Sequence, residues 1–239
     1  MKLSPLTKDV TAENRRHQPC ATVSSRGQQP LDSAPRPEHG NAAWCDSWLM
    51  RLVLLGAPGS GKGTQGAVLA HHFDIPHISS GDLLRNHVAA GTDLGRQVRA
   101  FLARGDLVPD DLVVDVVRDA LVSAGNTRGY LLDGFPRTHA QAERAFALAL
   151  PTGETADAVI YLEISDNVAR KRLSERAQAD RADDADPGAI EQRLKVFHAE
   201  TGPLLDFYEQ RGILVTVDAE ASSSAVTALI LDALTLRKG

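Results

Sequence analysis

Cysteine is scarce in this chain: Cys20 and Cys45 are the two among 239 residues. Two thiols cannot build a disulfide framework or a four-thiolate zinc site within one chain, and the composition fits a reducing cytosol. No run of about 18 apolar residues occurs, as a membrane-spanning helix would require. Positive charge is not in excess either. With 26 Lys and Arg against 31 Asp and Glu, the formal charge is −5, which leaves no electrostatic footprint for nucleic acid. The eight His are scattered, and none is assigned a catalytic duty. What remains is 43% hydrophobic residues with 19 Gly and 12 Pro, the profile of a soluble globular protein whose size suggests one domain.

Residues 1–49 stand apart. They hold five Pro, six basic and five acidic residues, both Trp and both Cys, with no sustained apolar period. This stretch reads as an unstructured extension. It lacks the apolar stretch of a secretory signal, and its acidic residues argue against an organelle transit peptide. Met50 directly precedes the first strand-like run, so we expect the working start there and the folded domain over 50–239.

From Met50 onward, short aliphatic runs alternate with longer helical patterns: Leu52–Leu55, Pro76–Ile78, Tyr130–Leu132, Ala158–Ile164 and Ile213–Val217. Such order predicts an α/β fold on a parallel sheet. The runs lack polar alternation, which suits strands covered by helices on both faces.

The first run feeds directly into GAPGSGKGTQ, residues 56–65. Glycines let the backbone turn with several N–H groups pointing inward, and the following helix presents its positive end. Lys62 adds an ammonium beside the β and γ phosphates. An anionic nucleotide is the expected ligand. Gly63 occupies the position where Ser or Thr commonly follows the lysine, and the hydroxyl comes at Thr64 instead. Asp133 ends a buried run at the carboxyl edge of the sheet, where ligands bind in such folds. Its carboxylate suits magnesium held through water as well as a cap on the turn that follows.

The phosphate loop, then ISSGDLLR at 78–85, then LDGFPRT at 132–138 with Gln141, together resemble adenylate kinase. The likeness covers Met50 to the C-terminus. It implies a P-loop NTPase-like three-layer fold with a central five-stranded parallel sheet, a helical NMP-binding lobe at 79–108 and a short lid at 175–186. The implied reaction is reversible phosphoryl transfer from ATP to AMP giving two ADP, in adenine nucleotide homeostasis, by a cytoplasmic monomer. ATP, AMP and ADP are the implied partners, with Mg2+ bound alongside ATP. The lid is too short for the β insert of long-form relatives and has no thiolates for structural zinc.

Residue by residue, the resemblance places Gly59, Ser60, Gly61, Lys62, Gly63, Thr64, Arg172, Arg176 and Ala221 on ATP. It places Ser80, Gly81, Arg85, Asp106, Leu107, Val108, Gly134, Phe135, Pro136, Arg137, Gln141, Arg181 and Arg193 on AMP, and Lys62, Arg137, Arg176, Arg181 and Arg193 at the transferring group. Independent reasoning supports part of this set. Ser79 lies three positions before Asp82, a capping spacing ahead of Leu83 and Leu84, and Ser80 suits a simple cap as well as a ligand contact. Arg137 offers a planar fork to phosphate oxygens. Gln141, four positions on, is expected on the same helical face, with one acceptor and two donors complementary to the N1 and N6 edge of adenine. Arg172 and Arg176 share a helix face, where they fit a solvated helix end as well as a phosphate clamp. Asp183 and Asp184 suit either orienting these arginines or solvating the loop.

Two other functions fit parts of the pattern. A UMP or CMP kinase shares the fold, but would usually carry Asn after the Pro-Arg pair, where this chain has Thr138. A non-catalytic P-loop protein would show gaps among the cationic positions, and Lys62, Arg85, Arg137 and Arg176 are all present. Intact mass of the protein made from its own gene is expected to show a dominant species beginning at Met50; a dominant species beginning at Met1 would refute that start.

Overall fold

The computed structural model describes residues 50–125, 127–179 and 186–237. Among them five strands form one parallel sheet: β1 (Met50–Gly56), β2 (His77–Ser79), β3 (Gly129–Asp133), β4 (Ala158–Glu163) and β5 (Leu214–Asp218), in the order β2-β3-β1-β4-β5. The expected strands are all present, with ends shifted by at most two residues. The central β1 begins at Met50 itself, whose N–H donates to the Arg128 carbonyl at 2.8 Å.

Alternate residues of each central strand face opposite apolar layers, which is why the runs show no polar alternation. Leu52, Leu54, Leu131, Ile160 and Leu162 pack on one side with α1 (Lys62–Phe73) and α9 (Ser223–Leu236). Val53, Leu55, Leu132 and Val159 pack on the other. That second layer takes in α2 (Ser80–Ala89), α3 (Asp93–Arg104), α4 (Asp110–Ala124), α5 (His139–Ala149) and α8 (Leu204–Glu209). Each buried Leu, Ile or Val contributes about 1.5–3 kcal/mol of transfer free energy, so both faces of the sheet are anchored.

A third cluster lies beside the phosphate loop. Ala169 and Leu173 of α6 (Asp166–Ala179), four residues apart, meet Ile190 and Leu194 of α7 (Pro187–Val196), with Ala57 and Phe197 between. Asp186 caps α7 by accepting from the Gly188 N–H at 2.9 Å. The part of the expected lid at Glu175–Ala179 is a continuation of α6. The remainder at 180–185, with Arg181, Asp183 and Asp184, lies outside the described residues, as does the 1–49 extension. Past Val196 the chain makes one π turn, Phe197–Thr201, before α8.

The order places the site. The chain runs from β1 to β2 and β3 on one flank and then crosses to β4 and β5 on the other. The carboxyl end of β1 is therefore the switch point at which an open α/β sheet leaves a crevice. Ile160, fully buried at the centre of β4, provides the test of this core. Ile160→Ala is expected to lower unfolding free energy by about 2–5 kcal/mol in urea titration, with the folded-state spectrum retained.

Candidate functional site

The phosphate loop leaves β1 at Gly56 and enters α1 at Lys62, with Gly61 as N-cap at φ 94°. Gly59, at φ 84°, lies so close to α6 that an added Cβ would sit 2.9 Å from the Ala169 carbonyl oxygen. The loop is thus pressed between β1 and the α6–α7 pair. The Lys62 ammonium donates to the carbonyls of Gly56 at 2.7 Å and Ala57 at 2.9 Å. Burial pulls its pKa from 10.5 down to about 8; Arg137 and Arg176 add to the depression, and Asp133 opposes it.

Asp133 ends β3 beside β1, opposite Leu54, and is 8% exposed. The turn after it holds Arg137. Gly134, at φ 75°, accepts from Arg137 Nε and from Ser80 Oγ, each at 2.7 Å, and an added Cβ there would lie 2.8 Å from the guanidinium. The Phe135–Pro136 peptide is cis. From the far side, Thr201 at the end of the π turn donates its hydroxyl to the Arg137 carbonyl at 2.9 Å. Burial lowers the pKa of Arg137, the nearby cations Arg85 and Arg193 lower it further, and Asp133 again opposes.

Lys62, Arg85, Arg137, Arg176 and Arg193 therefore converge, although they come from α1, α2, the β3–α5 turn, α6 and α7. All five line one cavity of about 590 Å3. Its walls include Gly59, Gly61, Gly63 and Thr64 at one end and Ser80, Gly81, Asp106, Leu107, Val108, Gly134, Pro136 and Gln141 at the other. A second cavity of about 340 Å3 opens beside the phosphate loop, between Ser60, Thr64, Gln65, Arg172 and the loop carrying Ala219 and Ala221.

Several sequence expectations are refined here. Ser79 caps α2 by accepting from the Asp82 N–H, whereas Ser80 is neither a cap nor a free hydroxyl, because it braces Gly134. Phe135 turns into the core and lines neither cavity. Arg172 donates to the carbonyls of Ala219 at 2.8 Å and Glu220 at 3.0 Å, which holds it at the second cavity. Arg137 precedes α5, so it does not share a helical face with Gln141. The Gln141 side chain instead folds back, its Oε1 accepting from the Arg137 N–H at 2.7 Å. Arg85 pairs with Asp82 on its own helix. Asp106 accepts from Gln192 of α7 at 3.0 Å, tying the end of α3 to the helix that carries Arg193.

Sequence reasoning missed Gln65, Asp110 and Thr201. Gln65, 2% exposed, accepts from Thr227 at 2.7 Å and donates to the carbonyl and hydroxyl of Ser223 at 2.9 and 3.2 Å, bracing α1 against the start of α9. Asp110 opens α4 and accepts from Thr138 and Gln141. A buried polar residue type was the available signal for Gln65 and Thr201, but their partners lie 158 and 64 positions away.

The donor set also answers the metal question. Among the described residues no group of three or more His, Cys, Asp or Glu could cage a cation. Asp133 stands over the phosphate loop, its Oδ2 4.0 Å from where a Gly63 Cβ would be and 3.7 Å from His77 Nε2, a buried atom without a hydrogen-bond partner. One carboxylate beside a phosphate loop fits a largely hydrated Mg2+, which takes one or two carboxylates and keeps several waters. Among the described residues no helix is long and apolar enough to cross a membrane.

Comparison with known proteins adds an independent line. The family model described as Adenylate kinase matches residues 54–213. The chain is 45% identical to the adenylate kinase of Xanthomonas oryzae pv. oryzae (strain MAFF 311018) over 185 residues, which is 77% of this chain and 99% of that protein. It is 44% identical to the adenylate kinase of Xylella fastidiosa (strain 9a5c) over the same shares.

The depressed Lys62 has a measurable consequence. An unfolded lysine keeps its proton to about 10.4, so between pH 8 and 10.5 the folded protein holds fewer protons and the Lys62 contribution to stability rises with pH. A bound polyphosphate restores the proton. Calorimetry of ATP binding at pH 8, in buffers of different ionisation enthalpy, should therefore show uptake of about half a proton, falling toward zero at pH 6.5 and absent in Lys62→Met.

Proposed function

The chain belongs to the adenylate kinase family, and on that premise we propose that its two cavities seat two adenine nucleotides with their phosphate tails meeting at the cation cluster. The chain is an ATP:AMP phosphotransferase: it moves the γ-phosphoryl group of ATP to AMP and gives two ADP, reversibly. The observation that carries the site assignment is the convergence of Lys62, Arg85, Arg137, Arg176 and Arg193 on one cavity, with Asp133 as the carboxylate that acts on both Lys62 and Arg137.

ATP lies along the phosphate loop. Backbone N–H groups from Gly59 to Thr64 hold its β and γ oxygens, which replace the Gly56 and Ala57 carbonyls as acceptors for Lys62. Its base occupies the smaller cavity by Ala219 and Ala221, where Arg172 fixes the loop. AMP enters the other end, its phosphate on Arg85, Arg137 and Arg193, its base against Val108 and Gln141. Phosphoryl transfer passes through a loose transition state whose charge spreads over the equatorial oxygens, so positioning and positive charge supply most of the catalysis. Arg137, between Lys62 and the AMP-side arginines, is placed to neutralise the group in flight. Asp133 would hold, through water, the Mg2+ carried with ATP, and that ion would supply further charge neutralisation on the phosphates.

We place the working domain at 50–239, supported by a relative matched over 99% of its length by 185 residues. A cytoplasmic monomer is part of the same proposal, supported by the scarcity of cysteine and the family resemblance.

A coupled assay of ATP with AMP, UMP, CMP and GMP should show strong preference for AMP, and preference for UMP or CMP would reject the base assignment. Arg137→Ala should lower kcat by at least about 100-fold with an unchanged far-ultraviolet spectrum. Near-normal turnover would reject its role.

A further inference from the structure

Gln141 is 1% exposed and lines the larger cavity. Its amide is clamped from both sides. Oε1 accepts from the Arg137 N–H at 2.7 Å, and Nε2 donates to Asp110 Oδ1 at 2.6 Å. The other Asp110 oxygen, Oδ2, accepts from the Thr138 hydroxyl at 3.1 Å, and that hydroxyl accepts from the Gln141 main-chain N–H at 3.1 Å. Asp110, Thr138 and Gln141 thus close a ring joining the start of α4 to the start of α5. Asp110 itself lines neither cavity.

The ring decides which end of the amide is which. Reversing it would set a carbonyl oxygen against a carboxylate and an NH2 against the Arg137 N–H, two repulsive contacts at hydrogen-bond distance. In the orientation present, the sole acceptor of the side chain faces Arg137, and one of two Nε2 protons goes to Asp110. On the nitrogen side, what remains for a ligand is one N–H donor. Adenine presents a bare acceptor at N1. A purine with a 6-carbonyl, such as hypoxanthine or guanine, presents an N1–H there, and donor would face donor.

We propose that Asp110 is a specificity-determining positioning residue: it locks the Gln141 amide with a donor toward the base, so that the monophosphate site accepts 6-aminopurines and rejects 6-oxopurines. This rests on the reading of Gln141 as the base contact. A site built to hydrogen-bond a particular group rejects an analogue that leaves its buried polar atoms unmatched, which gives the ring leverage out of proportion to its size.

The test compares AMP with IMP, the 6-oxo analogue without further substituents, as acceptors with saturating ATP, in Asp110→Ala, Asp110→Asn and Gln141→Leu. Asp110→Ala removes one of the two contacts that orient the amide and leaves only the Arg137 N–H to hold it. It should raise the KM for AMP about tenfold, leave the KM for ATP unchanged, and reduce the AMP-over-IMP ratio of kcat/KM about tenfold or more. Asp110→Asn, which keeps an oxygen in place, should stay within about threefold of the parent ratio. If Gln141→Leu loses discrimination while Asp110→Ala keeps it, the role of Asp110 is overturned and the base reading stands. If both keep it, both fall. Equal rises in KM for ATP and AMP in Asp110→Ala, at an unchanged ratio, would reduce the ring to a structural tie.

Discussion

Like charges gathered and buried together repel one another, and the cation cluster at the carboxyl ends of β1 and β3 is the constraint on which the rest of this structure depends. Burial and neighbouring arginines pull Lys62 to about 8 and hold Arg137 below its ordinary value, with Asp133 the anion that opposes both. Such an arrangement works against folding, since each cation loses hydration and gains repulsion. It persists because the surrounding contacts leave these side chains nowhere else to go. An incoming polyphosphate reverses the sign of the field, so the energy that opposes the empty site favours the filled one. That is differential stabilisation set up in advance, and a transferring phosphoryl group needs it more than it needs a proton acceptor.

Main-chain carbonyls do much of the holding. Gly134 receives both Ser80 and Arg137, Gly56 and Ala57 receive Lys62, Ala219 and Glu220 receive Arg172, and the Arg137 carbonyl receives Thr201. Carbonyls are acceptors without net charge, so they orient a guanidinium or ammonium without cancelling it. A carboxylate in the same places would quench the cluster. A carboxylate pairs with an arginine elsewhere: Arg170 donates through Nε and Nη2 to Glu191 and so tethers α6 to α7.

The parts of this arrangement legible in the sequence were those fixed by neighbours in the chain. Apolar runs over Leu52–Leu55 and Ala158–Ile164 announced strands covered on both faces, and the glycines around Lys62 announced the phosphate loop, because turn, helix start and lysine lie within ten residues. The Ser79 cap of α2 could be read from spacing alone. What escaped was set by contacts across the fold. The carbonyls of Ala219 and Glu220 that hold Arg172 lie 47 and 48 positions away. Arg137 and Gln141 have helical spacing, yet Thr138 caps α5 and excludes Arg137 from it, so the two meet through a fold-back hydrogen bond instead. Asp110 looked like one more acid at a helix start, and its partner Gln141 lies 31 positions on.

The two buried glutamines show how hydrogen-bond arithmetic separates support from recognition. A glutamine amide has two donor protons and one oxygen. Gln65 commits all of them to the protein, its oxygen to Thr227 and its nitrogen to the carbonyl and hydroxyl of Ser223. With nothing left to offer a ligand, it fixes the distance between the phosphate loop and the loop that floors the smaller cavity. Gln141 is as deeply buried, but its nitrogen has a single protein acceptor, Asp110. Burying an amide proton without an acceptor is unfavourable, so that residue proton must find its acceptor when the cavity fills. The same side chain thus serves as a brace where its capacity is exhausted and as a reader where one bond is withheld, and the withheld bond is a donor because a carboxylate stands behind it.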